Sequence, residues 1–266
     1  MLSLLLGAAL AGSPLNDPSR PYAIELNAEL GALLPMAHRV QFGSEGDPLD
    51  YVADGGQDNL FPFARPTARL AWRRQAFTLV WQPLDLRTTT TLDRSLRVDD
   101  LVFPANRPID LRYGFSFWRL SWGHHVTQRD DLQVALGLGL QVRNATIGFT
   151  SVDGSLSEFN RDIGPVPLLE LEVRKRFDSG VLLEAEVDGF YAPIKYLNGR
   201  GVDVEGAIAD IQLRTGLALA EPYDAWLGLR YLGGGASGTG TPDGTGDGYT
   251  ENWLHFLTLS LGVRVR

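Results

Sequence analysis

The chain contains no cysteine. This excludes disulfides and thiolate-ligated metal, and it suits an envelope protein that needs no oxidative stapling. There is no run of about 18 apolar residues, so no transmembrane helix is expected. Positive charge is not in excess: 24 Lys and Arg stand against 32 Asp and Glu, a formal net charge of −8. A nucleic-acid partner, which wants a basic surface, is therefore not expected. A glycine-rich phosphate loop is also missing, because Gly137-Leu138-Gly139 sits inside an apolar alternation. No spaced motif ties a histidine or carboxylate to a nucleophile, so the sequence yields no catalytic, cofactor-binding or metal-ligating set.

What is present is alternation. From Trp253 onward one face reads Leu257, Leu259, Leu261, Val263 and Val265, and the other reads Thr258, Ser260, Gly262, Arg264 and Arg266. A period of two denotes a β-strand with different surroundings on its two sides. Ten such strands are expected, near 22–35, 62–74, 76–90, 108–122, 131–147, 164–177, 180–192, 203–219, 224–234 and 251–266. Short connections, such as Arg74-Gln75 and Asp178-Ser179-Gly180, alternate with long ones at 36–61, 91–107, 148–163, 193–202 and 235–250. Short periplasmic turns with five long outer loops are the pattern of a closed antiparallel up-and-down transmembrane β-barrel. Eight or twelve strands are the alternatives. An apolar start, Met1 to Gly12 with Ala9-Leu10-Ala11, reads as a signal peptide over 1–11, which leaves 12–266 as one barrel domain.

Two strands break the pattern. The third carries Pro83, which calls for a bulge or an exit from the membrane. The fourth reads Tyr113, Phe115, Phe117 and then Trp118, Leu120, Trp122, a change of phase that a β-bulge near Phe117 would explain. Residues 233–248, rich in glycine, read as a flexible loop.

The polar faces carry both signs of charge. Arg65, Arg69, Arg73, Arg119, Arg143, Arg174, Arg176, Arg214 and Arg230 would share a lumen with Glu170, Glu172, Glu184, Glu186, Asp188 and Asp210. Lone charges in a narrow space are costly, so they should pair and fill the lumen as a plug. A charge-lined pore for a small solute is the alternative. Trp72, Trp118 and Trp122 toward the short turns, and Tyr191, Tyr231 and Trp253 toward the long loops, would mark the two membrane interfaces. His124 and His125 fall in an expected periplasmic turn, and Trp226 is an aromatic exception on a polar face. His38 and His255 fall near the outer mouth, with Asp50, Asp99 and Asp100 in outer loops. Acidic stretches at 45–58 and 243–247 read as solvated charge.

These strands, the loop asymmetry and the closing segment Trp253 to Val265 resemble the small bacterial outer-membrane β-barrel proteins of the porin-like superfamily. The resemblance implies an outer-membrane location in a Gram-negative cell. It also implies contact with outer-membrane lipid and lipopolysaccharide, and insertion by the barrel-assembly machinery. Members of that group often close on an aromatic residue, whereas this chain closes on Arg266. The expected role is non-enzymatic: a structural barrel or a narrow channel. Two rivals stand beside it. One is an outer-membrane hydrolase with a His and carboxylate at the outer mouth. The other is a secreted soluble β-barrel with leucines inside, binding a hydrophobic ligand.

Overall fold

The computed structural model describes residues 21–193, 203–219, 222–240 and 246–266. The expected leader over 1–11 lies outside the described residues, as does the connection over 194–202. The strands in chain order are β1 (Tyr22–Phe42), β2 (Leu49–Asp50), β3 (Phe61–Trp72), β4 (Gln75–Gln82), β5 (Asp85–Thr91), β6 (Leu96–Val98) and β7 (Leu101–Phe103). They continue with β8 (Pro108–Gln128), β9 (Leu132–Ser151), β10 (Ser157–Arg176), β11 (Val181–Pro193), β12 (Asp203–Ala218), β13 (Tyr223–Thr239) and β14 (Tyr249–Val265).

A ring of antiparallel neighbours runs β1, β3, β4, β8, β9, β10, β11, β12, β13, β14, and β14 pairs back onto β1. The fold is therefore a closed ten-stranded antiparallel barrel. The closing ladder runs from Leu26↔Val265 to Phe42↔Thr250, with a bulge between Pro35 and Ala37. Closure removes the unpaired edges that an open sheet would expose. Above β4, β5 continues along β8; β2 leans on β1, and β6 with β7 forms a separate ribbon.

Alternation sets the two faces. On β14, Leu261 is 67% exposed on the outside while Thr258 is 1% exposed on the inside. Exposed apolar side chains recur around the ring, at Leu70, Leu138, Leu169, Leu213, Leu229 and Leu259. An apolar exterior around a polar lumen is the architecture of a membrane barrel.

Several strands, β1, β8, β9, β10 and β13 among them, are longer than expected, and this changes the reading of their upper halves. β1 and β8 each contain 21 residues. A tilted strand crosses the hydrocarbon in about 9–11 residues. The surplus rises as a head at the long-loop end. The change of phase on β8 is where the head begins, not a bulge. Its register with β9 is continuous from Ile109↔Ser151 to His125↔Ala135, and shifts only beyond His125. Below the change, Arg119 and Ser121 point in while Trp118, Leu120 and Trp122 point out. Above it, Phe117, Phe115, Tyr113 and Leu111 point in, and Arg112 and Asp110 point out. The strand keeps its phase; its surroundings exchange.

Pro83 also causes no bulge. Gln82↔Phe117 and Asp85↔Gly114 keep one register across the break. The Phe115 N–H donates to the Leu84 carbonyl at 2.8 Å, and the Leu84 N–H donates to Ser116 Oγ at 3.3 Å. The glycine run is not all loop either. Gly233 to Thr239 lies in β13, laddered on both sides. Glycine is needed there because a Cβ on Gly235 would meet the Asn252 carbonyl oxygen at 1.9 Å.

Candidate functional site

The barrel encloses two chambers of opposite chemistry. The chamber at the short-turn end holds the charges. Arg230, 1% exposed, lies at its upper edge over the Phe63 ring and clamps Asp210 with two hydrogen bonds of 2.6 Å. Its Nη1 donates to Gln82 Oε1 at 2.6 Å. Arg119 shares Asp210 at 2.8 Å, binds Asp188 as well, and donates to Gln141 Oε1 at 2.8 Å. Strands on opposite walls are thus tied through the lumen.

A second tier lies nearer the short turns. Arg65 donates to Glu186 at 3.2 Å and to Gln212. Arg69 meets Glu172 at 2.6 Å, and Arg174 bridges Glu172 at 2.6 Å to Glu25 at 2.8 Å. Arg264 takes Glu184 through two bonds of 2.5 Å, and Arg214 lies 3.4 Å from Glu186. Ser121 donates to Glu170. The planar guanidinium fork makes such two-bond meetings possible where an ammonium would give one. Trp226 belongs here too: its indole N–H donates to Asn27 Oδ1 at 3.0 Å, and its ring lies 4.9 Å from the Arg214 guanidinium. A pocket of about 60 Å³ lies among Arg65, Arg69, Glu172, Arg174 and Arg264.

Several expected lumen residues lie elsewhere. Arg73 occupies the turn after β3, with φ of 56°, and stacks over Trp72 on the outside. Arg176 ends β10 at the rim, where its N–H donates to the Asp131 carbonyl at 2.9 Å. Arg143 lines the cavity of the upper chamber, beside Gln141. Conversely, Glu25, Glu29, Gln141, Gln212, Ser260 and Arg264 complete the network. They share the inward parity of their strands, which was the signal available for them.

The upper chamber is apolar. Leu33, Phe42, Tyr51, Phe103, Leu111, Phe149, Leu254 and Phe256 form one buried cluster, joined by Leu49, Leu96 and Val98 from the folded-over loops. Beside this cluster lies a cavity of about 290 Å³, walled by Tyr113, Phe115, Arg143, Phe190, Ile208, Leu232 and Leu254, with residues 163–167 of β10.

The histidines take separate places. His38 points into the upper chamber, stacked on Tyr51 at 4.5 Å and bonded to Gln57 Oε1 at 2.8 Å. His255 lies on the outer face and shares a 2.6 Å hydrogen bond with Tyr231 Oη. The wall stands between them although they are near neighbours in the ladder, so they do not form one site. His125 is not in a solvated turn; it is buried on β8, 3.2 Å from Arg69 Nη2. His124 pairs with Gln75 at 3.0 Å on the opposite face.

The loop carboxylates tie backbone. Asp50 accepts from the Val52 and Ala53 N–H groups at 2.9 and 3.0 Å, and Asp47 from Arg97 at 2.7 Å. Asp247 takes the Ser44 N–H at 3.0 Å and the Tyr249 N–H at 2.9 Å. The Ser44 hydroxyl donates to it as well, and together these bonds hold its carboxyl below the usual carboxylate range. Asp243 lies outside the described residues. Of the expected interface aromatics, Trp72, Trp118, Trp122 and Tyr191 are exposed outside, and Tyr231 and Trp253 are half-buried.

No family model matches the sequence, and no curated protein does. Solved structures with a related fold are bacterial outer-membrane proteins. The outer membrane protease OmpT of Escherichia coli is 10% identical, with a TM-score of 0.48 over 91% of this chain and 96% of that one. Neisserial surface protein A is 11% identical, with a TM-score of 0.33 over 92% of this chain and 99% of that one. The toluene transporter TodX of Pseudomonas putida is 7% identical, with a TM-score of 0.36 over 97% of this chain and 93% of that one.

Proposed function

We propose that this chain is a non-enzymatic outer-membrane barrel with a closed lumen, a structural protein rather than a diffusion channel. The observation that carries this is the packing of the charged chamber. Opposite walls are clamped together by Arg119, Arg230, Asp188 and Asp210, and the pocket below them, lined by Arg65, Arg69, Arg119, Glu172 and Asp188, holds about 60 Å³. The apolar cluster above adds a second closure, since ions are not stabilised among leucine and phenylalanine. Membrane lipid and lipopolysaccharide are the partners of the apolar belt, and the barrel-assembly machinery is the partner during insertion.

The test joins two measurements on the full chain. The folded protein is expected to migrate as a compact, SDS-resistant band that shifts on boiling. In planar bilayers it should show no conductance steps. Glu186→Ala should lower the temperature of the gel shift, because Arg65 and Arg214 lose a carboxylate, and should leave the bilayer silent. Steps in the unaltered protein, with a reversal potential that moves in Glu186→Ala, would instead establish a narrow pore.

A further inference from the structure

At the height of the upper cavity, three strands turn almost no side chain inward. The inward positions of β10, β12 and β13 there include Gly164, Gly206, Gly234 and Ala236, on the same parity as Glu170, Asp210 and Arg230 below them. The neighbouring strands contribute large groups, Tyr113 and Phe115 from β8 and Leu254 from β14. The space over the glycines is the cavity of about 290 Å³. Protein interiors are packed as densely as organic crystals, and few of their voids exceed one water molecule. This void is far larger.

Two buried donors line it without an acceptor. Gln141 is fully buried, and its Oε1 accepts from Arg119 Nε at 3.2 Å and from Nη2 at 2.8 Å. Those bonds commit that end of the amide to oxygen, so the other end is the NH2 group, which can only donate. Among the described residues its Nε2 has no hydrogen-bond partner. Gln141 lines the upper cavity and not the pocket below, whose lining includes Arg119. Tyr113 is the second donor. Its ring is held edge-on to His38 at 4.3 Å and parallel to Phe115 at 6.3 Å. Its buried hydroxyl also has no partner among the described residues. Leaving a buried polar group unpaired costs free energy, and native structures pair nearly all of them. Two such donors on one cavity point to an acceptor that comes from outside the chain. Arg143, the charged residue of the lining, already has a partner of its own, so the acceptor need carry no charge.

We propose that this cavity binds an uncharged, mainly apolar carbonyl compound of about the size of a diaryl ketone. The carbonyl oxygen accepts from the Gln141 amide, and the Tyr113 hydroxyl offers a second donor. The apolar body lies against Phe115, Leu232 and Leu254, over the glycines. An apolar space with a few fixed polar groups is the usual form of a small-ligand site. A carboxylate is disfavoured, because it would be buried without a counter-ion to spare. The site stands on the head alone and holds whatever medium surrounds the belt below.

The experiment is fluorine NMR on the full chain in phosphatidylcholine nanodiscs, each variant first checked for the SDS-resistant band. The probes are para,para′-difluorobenzophenone and para,para′-difluorodiphenylmethane, which differ only in carbonyl against methylene. The ketone should give a bound signal, distinct from the lipid-dissolved one, that saturates at one probe per chain. The methylene compound should bind about tenfold more weakly, since it leaves the donors unpaired. Val166→Phe, which fills the cavity, should weaken both probes at least about tenfold, and Ala236→Leu serves if that variant does not fold. Gln141→Glu keeps an oxygen for Arg119 and removes the donor. It should cost the ketone about tenfold and leave the methylene compound unchanged. Tyr113→Phe should also weaken the ketone selectively, without lowering the gel-shift temperature, because no bond within the protein is lost. A folded protein without a saturable ketone signal, or a Val166→Phe protein that binds normally, overturns the site and leaves water as the partner of the donors. Equal affinity for the two probes, or a ketone affinity that survives both Gln141→Glu and Tyr113→Phe, overturns the carbonyl class. A lowered gel-shift temperature in Tyr113→Phe overturns the hydroxyl as a ligand contact. If the unaltered protein lacks the SDS-resistant band and dissolves without lipid, the membrane reading falls, and the same titration in buffer decides the site.

Discussion

The lower and upper halves of this barrel are built from the same strands with opposite solvents in mind. On β8, Arg119 and Ser121 face a polar lumen while Trp118, Leu120 and Trp122 face outward. A few residues higher, Tyr113 and Leu111 face inward while Asp110 and Arg112 face out. The lower half is a membrane barrel and the upper half is packed like a soluble β protein. The two rival readings of the alternation, apolar outside or apolar inside, each describe one half. A strand needs no bulge to change its role; it needs only to cross an interface.

If the halves differ as described, the largest effect should come from breaking the most buried ion cluster of the lower one. Asp210→Ala leaves both Arg119 and Arg230 without their shared carboxylate. Removing one partner of a buried ion pair costs about 3–5 kcal/mol, most of it the burial of the charge left behind. The gel-shift midpoint in urea should fall accordingly. A loss below about 1 kcal/mol, the scale of an exposed pair, would mean that the lower lumen is wet.

The outward faces give the next contrast. Leu120 is 59% exposed in the apolar belt, and an arginine there should cost about 2–4 kcal/mol if it faces hydrocarbon. Asp110 lies on the same strand and the same face, but in the head, where it accepts one hydrogen bond from Thr89 at 2.6 Å. Asp110→Arg should cost no more than about 1 kcal/mol. Refolding free energies in vesicles measure both. Equal penalties would place the two residues in one medium and erase the boundary at Phe117.

How far the sequence carries depends on which interface a residue meets. The lower half was legible because its two faces differ at every step. On β14 Leu257 to Val265 alternate with Thr258 to Arg264, and Glu170, Glu172 and Arg174 mark the inner face of β10 as clearly. The turn at Arg74 and the ten-strand ring followed from the same rhythm. The upper half was not legible, because an alternation says that two sides differ and not which side is water. Hence Phe117 looked like a slip. His125 was placed in a turn because β8 was expected to end at Trp122; the ladder carries it to Gln128.

The smallest effect separates ties on the rim from ties inside the barrel. Asp247 anchors the loop before β14 to Ser44, in solvent. The Ser44 hydroxyl first, then the Tyr249 and Ser44 N–H groups, lower its pKa. A lowered folded pKa means that the carboxylate's contribution is complete above its unfolded value of about 3.9 and disappears as pH falls through the folded one. Hydrogen exchange at the Ser44 and Tyr249 amides, corrected for intrinsic rates, should therefore show steady protection at neutral pH and a loss beginning below about pH 4. Asp247→Asn should reduce protection at neutral pH and remove the acid step. The gel-shift temperature should not change, because the ring closes through β1 and β14 below this tie. A change in that temperature would show that the rim and the barrel unfold as one unit, and the division into two halves would then be chemical but not cooperative.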